Sequence, residues 1–177
     1  MKKEELCEAL KYLREKLPSL ETVACYGRAD ALYKLTLKDF EEIREAGLTM
    51  LHSGFESGCD GVLKLLNKGS TRSQQIDCGQ KIKKAGIEYN VFYMPGAGGK
   101  SLSERNALET ADVVNRINPE FLRIRTFVVK PGSPMWELAA NGDFDECSDI
   151  EKLREIRAFI NALDGIDTYS AAFRLCK

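Results

Sequence analysis

The chain has 177 residues, 44% hydrophobic and 30% charged, which is enough for one domain with a sizeable core and short for two. Its formal charge of -1 gives no global pull toward nucleic acid or an anionic membrane. Met1-Lys2-Lys3 opens a charged amphipathic segment, and no run reaches the roughly 18 apolar residues of a membrane span, so the expectation is a cytoplasmic domain with no nucleic-acid or membrane partner.

The cysteines, at positions 7, 25, 59, 78, 147 and 176, are too sparse for a disulfide scaffold and show no Cys-x-x-Cys or other metal spacing. They read as free thiols, with Cys25 and Cys59 as small buried hydrophobes.

Leu6, Leu10, Leu13 and Leu17 repeat at helical spacing from Glu4 to Leu17, and Pro18 stops the pattern. A strand core follows at Val23-Ala-Cys-Tyr26, left by the loop Gly27-Arg-Ala-Asp30. Thr36-x-x-Asp39 caps a helix whose buried stripe is Phe40, Ile43 and Ala46, terminated by Gly47. The strand Leu48 to Gly58 comes next, with His52, Gly54 and Glu56 on one face and Leu51, Ser53 and Phe55 on the other. A short helix from Asp60 to Leu66 breaks at Asn67-Lys-Gly69, and Thr71-x-x-Gln74 caps a second one running to Ala85-Gly86.

Ile87 to Met94 is the third strand and runs into Pro95-Gly-Ala-Gly-Gly-Lys100. Ser101-x-x-Glu104 has the form of a capping box opening a helix with Ala107, Leu108, Ala111, Val114 and Ile117 inward. The fourth strand is expected over Phe121 to Val129, with Arg123 and Arg125 on one face, and ends at Pro131-Gly-Ser-Pro134. Met135 to Ala140 reads as a short helix, and Asp149 to Leu163 as a longer one with Ile150, Leu153, Ile156, Ile160 and Leu163 as its inner stripe. Ile166 to Lys177 carries no clear signal.

A leading helix over 1–19, four strand-helix units over 20–134 and a C-terminal helical extension over 135–177 imply parallel strands with right-handed crossovers. Units of roughly 30 residues make this a partial (βα) barrel of TIM-barrel type, or else an open twisted sheet. A partial barrel leaves open edges, so self-association through them is an expectation.

Glu56, Ser57 and Gly58 lie where α/β proteins build sites, at the carboxyl end of a strand. The same Glu serves equally as a helix cap or a lysine partner. His52, four residues earlier, sits about 13 Å deeper along the strand and is better read as a core or lumen-lining residue than as a catalytic partner of Glu56. Gly96-Ala-Gly-Gly-Lys-Ser101 superficially has the shape of a phosphate-binding loop. It departs from that motif because Met94 stands where the first glycine belongs and Pro95 lacks an N–H donor, so a nucleotide-phosphate binder is the weakest of three readings. Arg123 and Arg125 need partners if buried and suit a carboxylate ligand if they face a wet lumen; a solvated edge strand explains them as well. Met135 and Trp136 read as packing.

Tyr26-Gly-Arg-Ala-Asp30, Ala46-Gly-Leu48, His52-Ser-Gly-Phe-Glu-Ser-Gly58, Leu63 with Asn67-Lys-Gly69, and Pro131-Gly-Ser-Pro134 together resemble a radical S-adenosylmethionine (SAM) protein of the Fe–S oxidoreductase branch. The resemblance spans Leu20 to Leu163 and implies strands three to six of a (βα)6 barrel. It implies further that Glu56, with Gly54 and Ser57 beside it, lies near the methionyl group of SAM, and that Gly96 and Arg125 lie near the adenosine. Arg123 or Arg125 would meet a substrate carboxylate.

In an intact parent of this kind a [4Fe–4S] cluster reductively cleaves SAM to a 5′-deoxyadenosyl radical, which abstracts hydrogen from a small-molecule substrate. The cluster sits in a Cys-x3-Cys-x2-Cys loop that this sequence lacks, so no metal ligand is assigned and this chain alone is expected to be inactive. It reads as a fragment or truncated member of such an enzyme. The alternative is a non-catalytic α/β module that binds a small ligand or a partner chain.

Overall fold

Five parallel strands lie side by side in the order in which the chain makes them. This is a computed structural model, and it describes residues 2–171. The elements are α1 (Lys3–Lys16), β1 (Ala24–Gly27), α2 (Ala29–Leu32), α3 (Leu37–Glu45), β2 (Met50–Glu56), α4 (Asp60–Leu65), α5 (Arg72–Lys84), β3 (Glu88–Tyr93), α6 (Gly99–Ile117), β4 (Phe121–Ile124), α7 (Pro134–Ala140), α8 (Asp149–Asn161) and β5 (Tyr169–Ala171). Cys176 lies outside the described residues; Cys7, Cys25, Cys59, Cys78 and Cys147 are free thiols, with the last three buried.

The helices line up in the order of the strands: α1 packs on α3, α3 on α5, α5 on α6, and α6 on α8. All of them cover one face of the sheet. On that face Leu51, Phe55, Tyr89, Val91, Tyr93, Leu122 and Ile124 meet Phe40, Ile43, Ile76, Ile82, Val114, Ile156 and Phe159 in one core. Such large apolar side chains contribute about 1.5–3 kcal/mol each on burial. Among the described residues the opposite face has no helical layer. Tyr26 is 74% exposed there, Arg123 is exposed, and Phe92 and Phe121 are half-buried. A parallel sheet covered on one side by successive crossover helices is a segment of a (βα) barrel wall. Among the described residues no helix is long and apolar enough to cross a membrane.

Local chemistry explains most boundaries. The Thr36–Asp39 and Thr71–Gln74 pairs close both halves of their capping boxes, at 3.2 and 2.8 Å and at 3.3 and 2.8 Å. Asn118 ends α6 in the left-handed conformation, with φ of 48°.

Four expectations are corrected. The Ser101 box does not form, because α6 begins two residues earlier: turns from Ala97 N to Met94 O (3.2 Å) and Gly99 N to Gly96 O (3.1 Å) wind the glycine loop straight into the helix. The fourth strand stops at Ile124, although Arg125 N and Phe127 N still donate to the Tyr93 and Pro95 carbonyls. The 135–177 extension is not wholly helical, since Tyr169–Ala171 pairs with β4. Finally, α8 is rotated from its apolar stripe. Ile150, Leu153 and Ile160 are exposed, while Lys152, Glu155, Ile156 and Phe159 face inward. Leu108 on α6 is likewise 47% exposed.

Candidate functional site

The carboxyl ends of β1 to β4 form a rim. After β1, Arg28 grips Asp30 through Nε and Nη2 at 3.0 and 3.1 Å; this largely exposed pair holds the Asp30 carboxyl below and the Arg28 guanidinium above their usual ranges. The β2 ladder shifts register between Ser53 and Glu56, and Glu56 itself stands at φ 64°, in the left-handed region that L-residues other than Asn and Asp rarely occupy. Its carboxylate takes Lys68 Nζ at 2.8 Å, both side chains being partly exposed. Gly54 leaves the space for this: a Cβ there would lie 3.2 Å from Glu56 Oε1 and 3.7 Å from Lys68 Nζ.

The loop that delivers Lys68 brings Gly69 against Asp30 at the start of α2. Two ion pairs, Arg28–Asp30 and Lys68–Glu56, thus lie along this half of the rim, and the Glu56 charge contributes to the upward shift of Arg28. Such an arrangement can exchange internal partners for ligand groups: Glu56 can trade Lys68 for an ammonium, and Lys68 can trade Glu56 for a carboxylate.

Ser57 and Gly96 point the other way. Ser57 is fully buried; its hydroxyl donates to Asn106 Oδ1 (2.6 Å) and accepts from Cys59 N (2.9 Å). Gly58 N donates to Thr110 Oγ1 at 2.8 Å. Gly58 admits no side chain, since a Cβ would come within 2.6 Å of the Glu109 carbonyl oxygen. The Gly96 amide donates to Glu155 Oε2 at 3.1 Å. Burial raises the Glu155 carboxyl above its usual range, against the pull of Ser103, Tyr93, Asn106 and the Gly96 amide. Sequence reasoning found neither Glu155 nor Asn106, and Lys68 only as part of a motif.

On the β4 side, Arg125 borders a cavity of about 440 Å³ with Met94, Thr126, Phe127, Lys130 and Met135. Arg123 lies deeper on the open face, its guanidinium 5.7 Å from the Phe92 ring centroid and 5.8 Å from that of Phe121. His52 stacks on Tyr26 at 4.7 Å; burial, then the Arg123 charge, lowers its pKa and leaves the ring neutral at pH 7. The candidate site residues therefore separate. Glu56 and Gly54 meet on the rim, Arg125 opens onto the neighbouring cavity, Arg123 lies on the open face, and Ser57 and Gly96 support the rim from within.

Glu56 and Lys68 give the rim an acceptor and a cation side by side over Gly54, the donor set that an amino-acid end of a ligand such as SAM would require. An iron–sulfur cluster does not fit. Among the described residues no group of three His, Cys, Asp or Glu side chains is arranged around a metal position, and burial raises the thiols of Cys25, Cys59 and Cys147 and pushes Cys78 up to about 12.

No protein-family model matches the sequence. A tRNA uridine(34) acetyltransferase of Methanocaldococcus infernus is 23% identical over 120 residues, which is 67% of this chain and 22% of that protein. Among solved structures, the N-terminally deleted archaeal Elp3 of the same organism superimposes with a TM-score of 0.68 at 18% identity, over 85% of this chain and 34% of that one. Coproporphyrinogen III oxidase (HemN) of Escherichia coli, a radical SAM enzyme, gives a TM-score of 0.68 at 17% identity, over 91% and 36%. The fold is that of part of a radical SAM barrel. The chain spans about a fifth of the curated relative and about a third of these two structures.

Proposed function

We propose that this chain is the SAM-binding wall of a radical SAM oxidoreductase. Glu56 takes the cofactor's ammonium, Lys68 its carboxylate, and Arg125 borders the adenosine side. Bound SAM supplies hydrogen-abstraction chemistry in such enzymes, driven by an electron from a cluster that this chain does not ligate. The chain's own residues bind and orient: Glu56 and Lys68 hold the aminoacyl end, and Arg123, among Phe92 and Phe121, offers a cation to a carboxylate-bearing substrate on the open face.

The observation that carries this reading is Glu56 itself, a carboxylate held in left-handed backbone at a bulged strand end with a lysine 2.8 Å away. Strain of this kind is tolerated where the surroundings and the chemistry require it. Titration calorimetry with S-adenosylhomocysteine tests it. Glu56→Gln and Lys68→Ala should each weaken binding about tenfold, the equivalent of about 1.4 kcal/mol; unchanged affinity in both overturns the reading.

A second reading, a partner-binding module, is favoured by the far edge of β1, which no strand covers among the described residues. Beside that edge lies a cavity of about 360 Å³ lined by Leu6, Cys25, Leu32, Phe40 and Leu51. An added strand, from another copy or another chain, would pair there and place an apolar side chain in the cavity. Concentration-dependent dimerisation in sedimentation experiments supports it, and a monomer at all concentrations counts against the self-pairing form.

A further inference from the structure

Glu155, on α8, accepts four hydrogen bonds and reaches the strand ends only from the helix side, through Tyr93 and Gly96. It is 3% exposed. Tyr93 Oη (2.8 Å) and Asn106 Nδ2 (2.7 Å) donate to its Oε1, and Ser103 Oγ (2.6 Å) and Gly96 N (3.1 Å) to its Oε2. Four donors match the acceptor capacity of one carboxylate.

Two routes lead from it to Glu56. In the first, Tyr93 is the register partner of Glu56 in the β2–β3 ladder, and the next residue, Met94, donates its amide to the Glu56 carbonyl at 2.8 Å. In the second, Asn106 receives the Ser57 hydroxyl at 2.6 Å, so the residue after Glu56 is tied to α6. Glu56 is held at its own carbonyl and through the residue that follows it by groups that converge on one carboxylate of α8. A strained residue persists only where its surroundings over-determine it.

The geometry points to Glu155 as a positioning residue that fixes the backbone of Glu56 and joins the loops after β2 and β3 into one unit. Its consequence for ligand affinity rests on the cofactor reading above; the joining of the loops does not.

Glu155→Gln keeps the shape but replaces an acceptor by a donor, so at least one of Gly96 N and Asn106 Nδ2 loses its partner. Amide hydrogen exchange on the full chain reads the result. Exchange should accelerate at least tenfold at Gly96, Met94 and Ser57 together, while Leu51 and Val91 keep their wild-type protection, and S-adenosylhomocysteine affinity should fall about tenfold. Acceleration confined to Gly96, or spread evenly over the sheet, overturns the proposal by making Glu155 a local brace or a general stabiliser. If the wild type does not bind S-adenosylhomocysteine, the cofactor reading fails and exchange alone still decides the coupling. Should Glu155→Gln not fold, Tyr93→Phe and Ser57→Ala each cut one route. Faster exchange at Met94 in the first and at Ser57 in the second supports the proposal, and no change in either overturns it.

Discussion

The two sides of the sheet end handle polar groups in opposite ways. Toward the helices, Glu155, Asn106, Ser57 and Thr110 are buried and joined in one network. Toward the open face, Arg28, Asp30, Glu56 and Lys68 make partly exposed ion pairs. Buried networks hold one geometry because an unmade bond there costs the full desolvation of a polar group. Exposed pairs contribute little and exchange partners readily. One side sets position, and the other is free to receive a ligand.

Substitutions separate the two. Phe159→Ala removes a fully buried ring tilted against Tyr93, with centroids 4.5 Å apart, and should cost about 3–5 kcal/mol in urea unfolding. Gly58→Ala forces a methyl into the Glu109 and Thr110 backbone and should cost about 2–3 kcal/mol by the same measurement.

The two faces should also respond to pH with opposite sign. Burial raises the Glu155 carboxyl, so the folded state holds that proton more tightly; its contribution is present at low pH and is lost as pH rises through the raised value. Burial and Arg123 lower the His52 imidazole, so its contribution is present above the ordinary histidine range and is lost as pH falls below it. Unfolding across pH 4 to 8 should lose the first component in Glu155→Gln and the second in His52→Asn, in each case relative to wild type. The smallest effect belongs to Lys68→Ala, which should change stability by less than about 1 kcal/mol; a larger loss in urea unfolding would mean that the ion-paired side also sets structure.

Much of this was legible in order along the sequence. Thr36 and Thr71 announced their helices because a capping box is local, and Gly54 and Glu56 were placed together because strand periodicity is local too. What escaped notice depends on distant partners. Glu155 looks like a solvent residue until Tyr93 and Asn106, 62 and 49 positions away, supply its donors. Satisfying it turns α8 so that Ile150, Leu153 and Ile160 stay outside, against the apolar stripe. The strand at Tyr169 has no hydrophobic pattern of its own and is specified by the free edge of β4. Ser57 and Gly96 read as ligand contacts because they sit at strand ends, yet the helix layer behind them takes their hydrogen bonds first.

The left-handed backbone at Glu56 also bears on how this chain could be improved. Glycine would rest there without strain, so at this one position the demands of folding and of recognition oppose each other. A selection for heat resistance alone should therefore discard Glu56 early, whereas a selection that also requires ligand should keep it and find its stabilising changes elsewhere.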